Sequence, residues 1–416
     1  MEQRPAVPTY VLRGHEAPIH ALHFFCRNAY LASGDSEGWL VIWGLATKRP
    51  MAVWKGHEGA VMAIRHWTND RLVRYVAPSC CSRRKLNCTP ASHGRDHKLC
   101  VWQVRSQDIA VLDTKLPGDG AHPDQAQPWL LHSMPVNALN FCAFSMCDET
   151  PQEHSDAEAA PQLIASPNGL DSGGIDMFQL PSERRVSQIP SDKISPTGMV
   201  MAVSLFHDPS SRLLLVSGYE DGQVIVHSQQ EETNAKSKWK KLMSSKPHSQ
   251  PILSLDVSPS RGHFITSGAD ATIAKFALHL TDVPDETRLE KTVNTKHAGQ
   301  QSLSIRSDGK IFATAGWDGL VRVYSVKTMK ELAVLQWHKQ GCYATDFAAI
   351  EPGNGDVHAG TVTESEPDIS GSQSAEVVPR PTALELIKRQ REEKALRTHW
   401  LAAGGKDGKI SLWDIY

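Results

Sequence analysis

Short stretches of alternating apolar and polar residues run along most of the chain. IHALHFF (19–25), VMAIRHW (61–67), VMAVSLF (200–206), ILSLDV (252–257) and YATDF (343–347) share this period of two. Each belongs to a longer unit that goes on to a strand end of small residues, a tight turn and a second alternating stretch closed by an aromatic or a histidine. SGDSEGWLVIWGL, GRDHKLCVWQV, SGYEDGQVIVHS, SGADATIAKFAL, AGWDGLVRVYSV and GGKDGKISLWDIY are six of these endings. A period of two interrupted by Gly and Asp turns predicts short antiparallel strands, half buried at the edges and wholly buried inside. The closing positions are Trp43, Trp102, Phe178, His227, Phe276, Tyr324 and Trp413, at spacings of 59, 76, 49, 49, 48 and 89 residues. Three nearly equal intervals define a module of about 48 residues, repeated seven times, and the longer intervals hold inserts.

Upstream of most closing residues a histidine precedes the first alternating stretch: His15, His57, His132, His248, His297 and His338, with none in repeat four. This two-part signature resembles the WD-repeat family. The resemblance implies an all-β protein, a single seven-bladed β-propeller spanning residues 1–416. It also implies a buried Ser/Thr–His–Asp–Trp network in each blade. Such a network is tolerable only if every buried imidazole, carboxylate and indole N–H finds a partner. Repeat two matches at His57, Ser92, Asp96 and Trp102. Repeat one offers His15, Ser33 and Trp43, with Glu37 at the aspartate place. Repeat seven offers His338, Asp407 and Trp413, with Ala403 replacing the serine. Repeats five and six close on Phe276 and Tyr324 and lack the indole donor. In repeat three Ser172 takes the aspartate place beside Asp171, so blades three and four are expected to depart most from regular geometry.

The chain opens on TYVLRGH, an outer strand and histidine with no blade before them, and stops at SLWDIY, one strand short. Residues around Thr9 to Leu12 are therefore expected to complete blade seven, which removes exposed sheet edges. The longest insert, 351–397, falls inside repeat seven. Its first part, 351–379, has six Asp/Glu, no Lys or Arg, and much Gly, Ser and Pro, a composition that predicts disorder. Thr382 and Glu385 then form a capping-box pattern, and Glu385–Arg389 and Glu393–Arg397 are favourably ordered pairs, so a short charged helix should follow. Two more inserts, about 75–91 and 147–161, lie between first and second strands. All three should emerge on the same, wider face and crowd one half of it, marking a docking surface.

Charge changes this picture little: 44 basic against 46 acidic residues give a net charge of −2 and no global attraction to nucleic acid or anionic membrane. The basic pieces SRRK (82–85) and KSKWKK (236–241) read as solvated loops before phosphate contacts. Cys26, Cys80, Cys81, Cys88, Cys100, Cys142, Cys147 and Cys342, with no signal-like or membrane-spanning apolar run, point to free thiols in a reducing compartment. Cys80, Cys81, Cys88 and His93 lack paired zinc-ligand spacing, and Arg83, Arg84 and Lys85 interrupt them, so no metal or cofactor is expected. Neither G-x-S-x-G, a P-loop nor H-E-x-x-H occurs, and no enzyme activity is expected.

A closer resemblance lies in PTYVLRGHEAPIHALHFF, LASGDSEGWLVIWGLATKRPMAVWKGHEGAVMAIR, PWLLHSMPVNALNFCAF and LAAGGKDGKISLWDIY. These look like the fungal ASTRA-associated WD-repeat family, itself similar to animal proteins that resemble the G-protein β subunit. The resemblance implies a non-catalytic scaffold subunit of the ASTRA complex, associated with chromatin remodelling and with maturation of phosphatidylinositol-3-kinase-related proteins, expected in the nucleus first and the cytoplasm second. Its implied partners are a phosphatidylinositol-3-kinase-related protein and cochaperone-type factors, with a monomeric propeller, no direct nucleic acid and no membrane. Two other readings stay open: a G-protein β-like signalling adaptor, and an enzyme with its site at the channel mouth. The first would carry a long N-terminal helix, and the second a cluster of convergent polar residues.

Overall fold

The computed structural model describes residues 6–67, 87–105, 107–137, 141–151, 160–193, 195–230, 239–278, 288–350 and 382–415. Seven antiparallel sheets stand in a ring, giving a seven-bladed β-propeller; each has four main strands, successive in the chain in all blades but the seventh, and blade two adds the short strand Asn87–Cys88. Blade one comprises Ile19–Phe25, Tyr30–Asp35, Trp39–Gly44 and Arg49–Lys55, in that spatial order from the axis outward. Blade seven is composite. Cys342–Phe347, Trp400–Gly405 and Lys409–Asp414 come from the end of the chain, and Tyr10–Arg13 from its beginning. Tyr10 pairs with Leu412 and Leu12 with Ile410, as the N-terminal sequence predicts.

Burial explains the sequence pattern strand by strand. Second and third strands are sandwiched between neighbouring blades and are buried on both faces, so LLLVSGY and WLVIWG read as nearly continuous apolar runs. Outer strands such as Arg184–Ile189 face solvent and are polar. Two register shifts recur around the ring. One follows the first residue of the first strand, at Ile19/Ala21, Val61/Ala63, Val200/Ala202, Ile252/Ser254, Gln300/Ser302 and Cys342/Ala344. The other falls at the closing residue, at Ile42/Trp43, Met177/Phe178, Val226/His227, Lys275/Phe276 and Val323/Tyr324. A bulge adds local twist, and here it turns the closing ring into the space between blades.

Side chains also tie neighbouring first strands together. The Phe24 N–H of blade one donates to Asp346 Oδ2 of blade seven at 2.8 Å, and the Ile305 N–H of blade six to Asp256 Oδ2 of blade five at 2.7 Å. Leu303 adds a second tie at the blade five–six junction by donating its N–H to the Ser254 hydroxyl, and Leu205 and Thr345 donate to the hydroxyls of Ser145 and Ser302 across two further junctions. The blade seven–one junction is doubly fastened, because the Asn28 amide donates to the Ala349 carbonyl at 2.6 Å and accepts the Ala349 N–H at 2.9 Å.

Blade three departs from the pattern: its described first strand, Ser145–Asp148, has four residues. Blade four does not. Its strands Val200–His207, Leu213–Tyr219, Val224–Gln229 and Trp239–Ser245 keep full pairing, between apolar clusters on both faces. Within the blade-seven insert, Ala383–Arg397 is the expected helix, with the capping box of Thr382 and Glu385 in place and Glu393–Arg397 paired at 2.7 Å. Residues 351–379, on which the expectation of disorder falls, lie outside the described residues, as do 75–86 and 152–159 of the other two inserts.

Candidate functional site

Blade two carries the complete network. His57 Nδ1 lies 3.0 Å from Asp96 Oδ1, His57 Nε2 lies 2.8 Å from Ser92 Oγ, and the Trp102 indole N–H donates to the same hydroxyl at 3.0 Å. Burial alone raises the Asp96 carboxyl, but the hydrogen bond and charge of His57, with the Glu58 N–H, outweigh it and hold the group below the usual carboxylate range. The network thus locks the turn between second and third strands to the segment that enters the blade.

Blade one makes the same network with a different acid. Asp35, not Glu37, faces His15: Oδ2 lies 2.7 Å from Nδ1, and Oδ1 accepts the N–H groups of Glu37 and Trp39 at 3.0 Å each. Ser33 Oγ lies 2.7 Å from His15 Nε2 and accepts the Trp43 indole at 2.8 Å. Asp35 is fully buried and Glu37 is exposed. The acid has moved to the end of the strand, where its short side chain reaches both the imidazole and the turn.

Blade seven supplies its hydroxyl from an unexpected strand. His338 Nδ1 lies 3.1 Å from Asp407 Oδ1 as predicted, while Nε2 lies 2.9 Å from Ser411 Oγ, which also accepts the Trp413 indole at 2.9 Å. Blade five uses His248, Asp270 and Thr266, with no indole because Phe276 closes it.

Two of the six predicted histidines stand elsewhere. His132 lies on the outer strand Trp129–Pro135 of blade two, where Nδ1 meets Glu183 Oε1 at 2.8 Å. His297 is exposed, and in its blade Arg322 pairs with Asp318 at 2.6 Å while Thr314 donates to Gln300 at 2.6 Å. Blade three uses amides: Asn137 donates to the Asn168 carbonyl and Asn168 to Asp176. Asp171 accepts the Gly173 and Ser191 N–H groups, which gives it the turn-holding role expected near Ser172.

A polar group bridges blades seven, one and two near the axis. His23 Nε2 lies 2.7 Å from His66 Nδ1, and His23 Nδ1 lies 3.4 Å from Asp346 Oδ2. Burial pulls His66 down to about 3, with the charges of His23 and Arg65 acting in the same direction. Asp256 is pushed up to about 6 by burial. Among the described residues no group of three or more His, Cys, Asp and Glu could hold a metal ion. His93 is buried edge-on against Phe144, while Cys80 and Cys81 fall outside the described residues. Cys100, Cys142, Cys147 and Cys342 form no disulfide, and burial raises Cys100 to about 11.

The faces of the ring are unlike. The His–Asp turns lie at one end of the strands. The connections from first to second strands lie at the other, and these carry the inserts of blades two, three and seven. That end also holds the helix Ala383–Arg397. Its C-terminal part is seated by Ala395, which is buried and accepts the Trp400 indole N–H at 2.8 Å, and Lys48 lies over the Trp400 ring. Its first turns expose Leu384, Leu386 and Ile387.

Residues 8–413 match the family model described as ASTRA-associated protein 1. The chain is 48% identical to the ASTRA-associated protein 1 of Penicillium rubens, over all of this chain and 98% of that protein. It is 48% identical to the Aspergillus niger protein of the same name, with the same coverage, and 30% identical to that of Schizosaccharomyces pombe, over 82% of this chain and 93% of that protein. With the propeller and its composite last blade inside the matched span, the chain belongs to the ASTRA-associated protein 1 family.

Proposed function

We propose that the chain is a non-catalytic scaffold subunit of the ASTRA complex, acting in the nucleus in chromatin remodelling and in the maturation of phosphatidylinositol-3-kinase-related proteins. The observation that carries this reading is full-length similarity to proteins named for ASTRA association, joined to a ring whose one face gathers three inserts and a projecting helix. A ring held by interblade hydrogen bonds presents pre-ordered surfaces, so a partner gains contacts at little ordering cost. Among the described residues of that face the helix offers exposed Leu384 and Ile387 beside Lys388, Arg389 and Arg391.

Affinity purification of the tagged chain from its native cells tests the reading. Recovery of a kinase-related protein with cochaperone-type factors supports it. Recovery of G-protein subunits instead, or of no partner, overturns it. A version lacking 352–381 keeps the helix seat at Ala395 and Trp400 and asks whether the acidic stretch contributes.

A further inference from the structure

Blade four breaks the pattern of the closing residue. In blade one Trp43 lies opposite Leu31, two positions before Ser33, and its indole reaches that hydroxyl. His227 holds the same register, opposite Leu215 and two positions before Ser217, and the same bulge marks it. An imidazole is too short to span the gap, and Ser217 Oγ lies instead 3.2 Å from Tyr219 Oη and 3.3 Å from the Ile225 carbonyl. His227 is 8% exposed, and its Nδ1 has no hydrogen-bond partner. Burial, with Lys241 beside it, pulls the imidazole down to about 4, so the ring is neutral at pH 7. A buried polar nitrogen without a partner is costly in a fold, and the small exposed part of this ring borders a cleft.

A cleft of about 410 Å³ opens at this place, between blades three and four, walled by Ile189, Tyr219, Ile225, His227, Trp239 and Lys241. Trp239 fixes one wall by donating its indole N–H to Ser187 of blade three at 2.8 Å. The lining itself holds one cation and one carboxylate, Lys241 and Asp192, and the excess of positive charge lies on the outer strands beside it. The outer strands RRVSQI and WKKLMSS hold four cations and no carboxylate. Arg185 and Lys241 each meet one carboxylate, Asp176 at 3.4 Å and Asp192 at 3.2 Å, and both cations remain about half exposed. Arg184 and Lys240 are exposed and make no ion pair among the described residues.

We propose that this cleft docks an extended acidic segment of a partner protein, one tyrosine of which enters the cleft beside His227 while flanking carboxylates meet Lys240, Lys241 and Arg184. The choice of side chain follows from the walls. A carboxylate beside a neutral imidazole would be buried uncompensated. A lysine would meet Lys241. An aromatic ring suits Ile189, Ile225 and Trp239, and its hydroxyl can both donate and accept, as a neutral imidazole requires. The proposal rests on the scaffold reading, since it supplies that scaffold with a docking site.

The test is fluorescence anisotropy on the full chain with a fluorescein-labelled peptide of one tyrosine flanked on each side by four glutamates. Saturable binding is expected. It should weaken about tenfold or more in H227W, in the double variant K240E/K241E, and when alanine replaces the peptide's tyrosine. H227W fills the cleft with the residue blades one, two and seven already use, so its melting temperature should equal or exceed the parent's. If it fails to fold, the exposed K240E/K241E pair decides alone. Absence of binding, equal binding of the alanine peptide, unchanged affinity in K240E/K241E or a folded H227W, or equal displacement by a uridine oligonucleotide would overturn the proposal. Co-purification with ASTRA components is read separately, so loss of this site with retained complex membership sinks only the site.

Discussion

Ser411 stands directly opposite Ala403 across the blade-seven ladder and supplies the hydroxyl that Ala403 lacks. In blades one and two the serine is on the second strand; here it is on the third, and it still meets the imidazole and the indole. S411A leaves His338 Nε2 and the Trp413 indole without their buried partner. It should destabilise the chain by about 2 kcal/mol in urea denaturation. The double variant A403S/S411A returns the hydroxyl to the other side of the ladder and should recover at least half of the loss. No loss in the single variant would mean that the hydroxyl is dispensable.

The acid of blade one gives a cleaner contrast. Asp35 accepts from the imidazole of His15 and two backbone N–H groups at zero exposure, so D35A should cost about 3 kcal/mol or more. Glu37 is exposed, and E37A should stay within about 0.5 kcal/mol of the parent. Equal effects in thermal melts would show that the two carboxylates share the role.

Acid should weaken the fold well above pH 4. Burial draws His66 to about 3 and His93 and His227 to about 4, all below the ordinary imidazole value of about 6.5. Below pH 6.5 the unfolded chain takes up protons that the fold refuses, so stability falls with pH. Asp256, raised to about 6, acts the other way, because the fold binds its proton first. The three imidazoles outweigh the one carboxyl, and each uncompensated proton is worth up to about 1.4 kcal/mol per pH unit. Asp96, Asp270 and Asp407, held low in the fold, add stability at neutral pH that disappears only as pH drops below the ordinary carboxylate range. Urea titrations at pH 7 and pH 5 should show the decline, and H227F should make it shallower. A flat profile in the parent would contradict this account.

Ring closure depends on the two chain ends. Deleting residues 1–13 removes the Tyr10–Arg13 strand and the buried Leu12, and the whole ring should lose cooperativity. N28A removes both hydrogen bonds to Ala349 and should cost about 1 to 2 kcal/mol. If differential scanning calorimetry of the deletion shows one unchanged transition, the closing strand is ornamental.

What the sequence revealed depended on distance along the chain. His57, Ser92, Asp96 and Trp102 could be named together because each keeps its spacing, and Thr382 with Glu385 announced a helix through a local rule. Glu37 was misplaced because turn spacing points to a position, whereas burial and side-chain length chose Asp35. Ser411 was invisible until the register set it opposite Ala403. His132 and His297 show that a histidine before an alternating stretch is insufficient: one sits on an outer strand, and the other yields its role to Arg322 and Gln300. Contacts such as Phe24 with Asp346 join residues 322 positions apart, and no local pattern carries them.

The composite blade also sets an order of events during synthesis. The strand that closes the ring, Tyr10–Arg13, leaves the ribosome first, but its partner Lys409–Asp414 leaves last. At roughly 5 to 20 residues per second the early strand waits on the order of 20 to 80 s for its pairing edge. Throughout that interval the strand Tyr10–Arg13 has no ladder partner and the outward faces of blade one and of the newest blade stay uncovered, so every completed blade must hold together without the final clasp. Chaperone engagement, or capture by a partner, has its longest opportunity there, before the last six residues of sheet emerge.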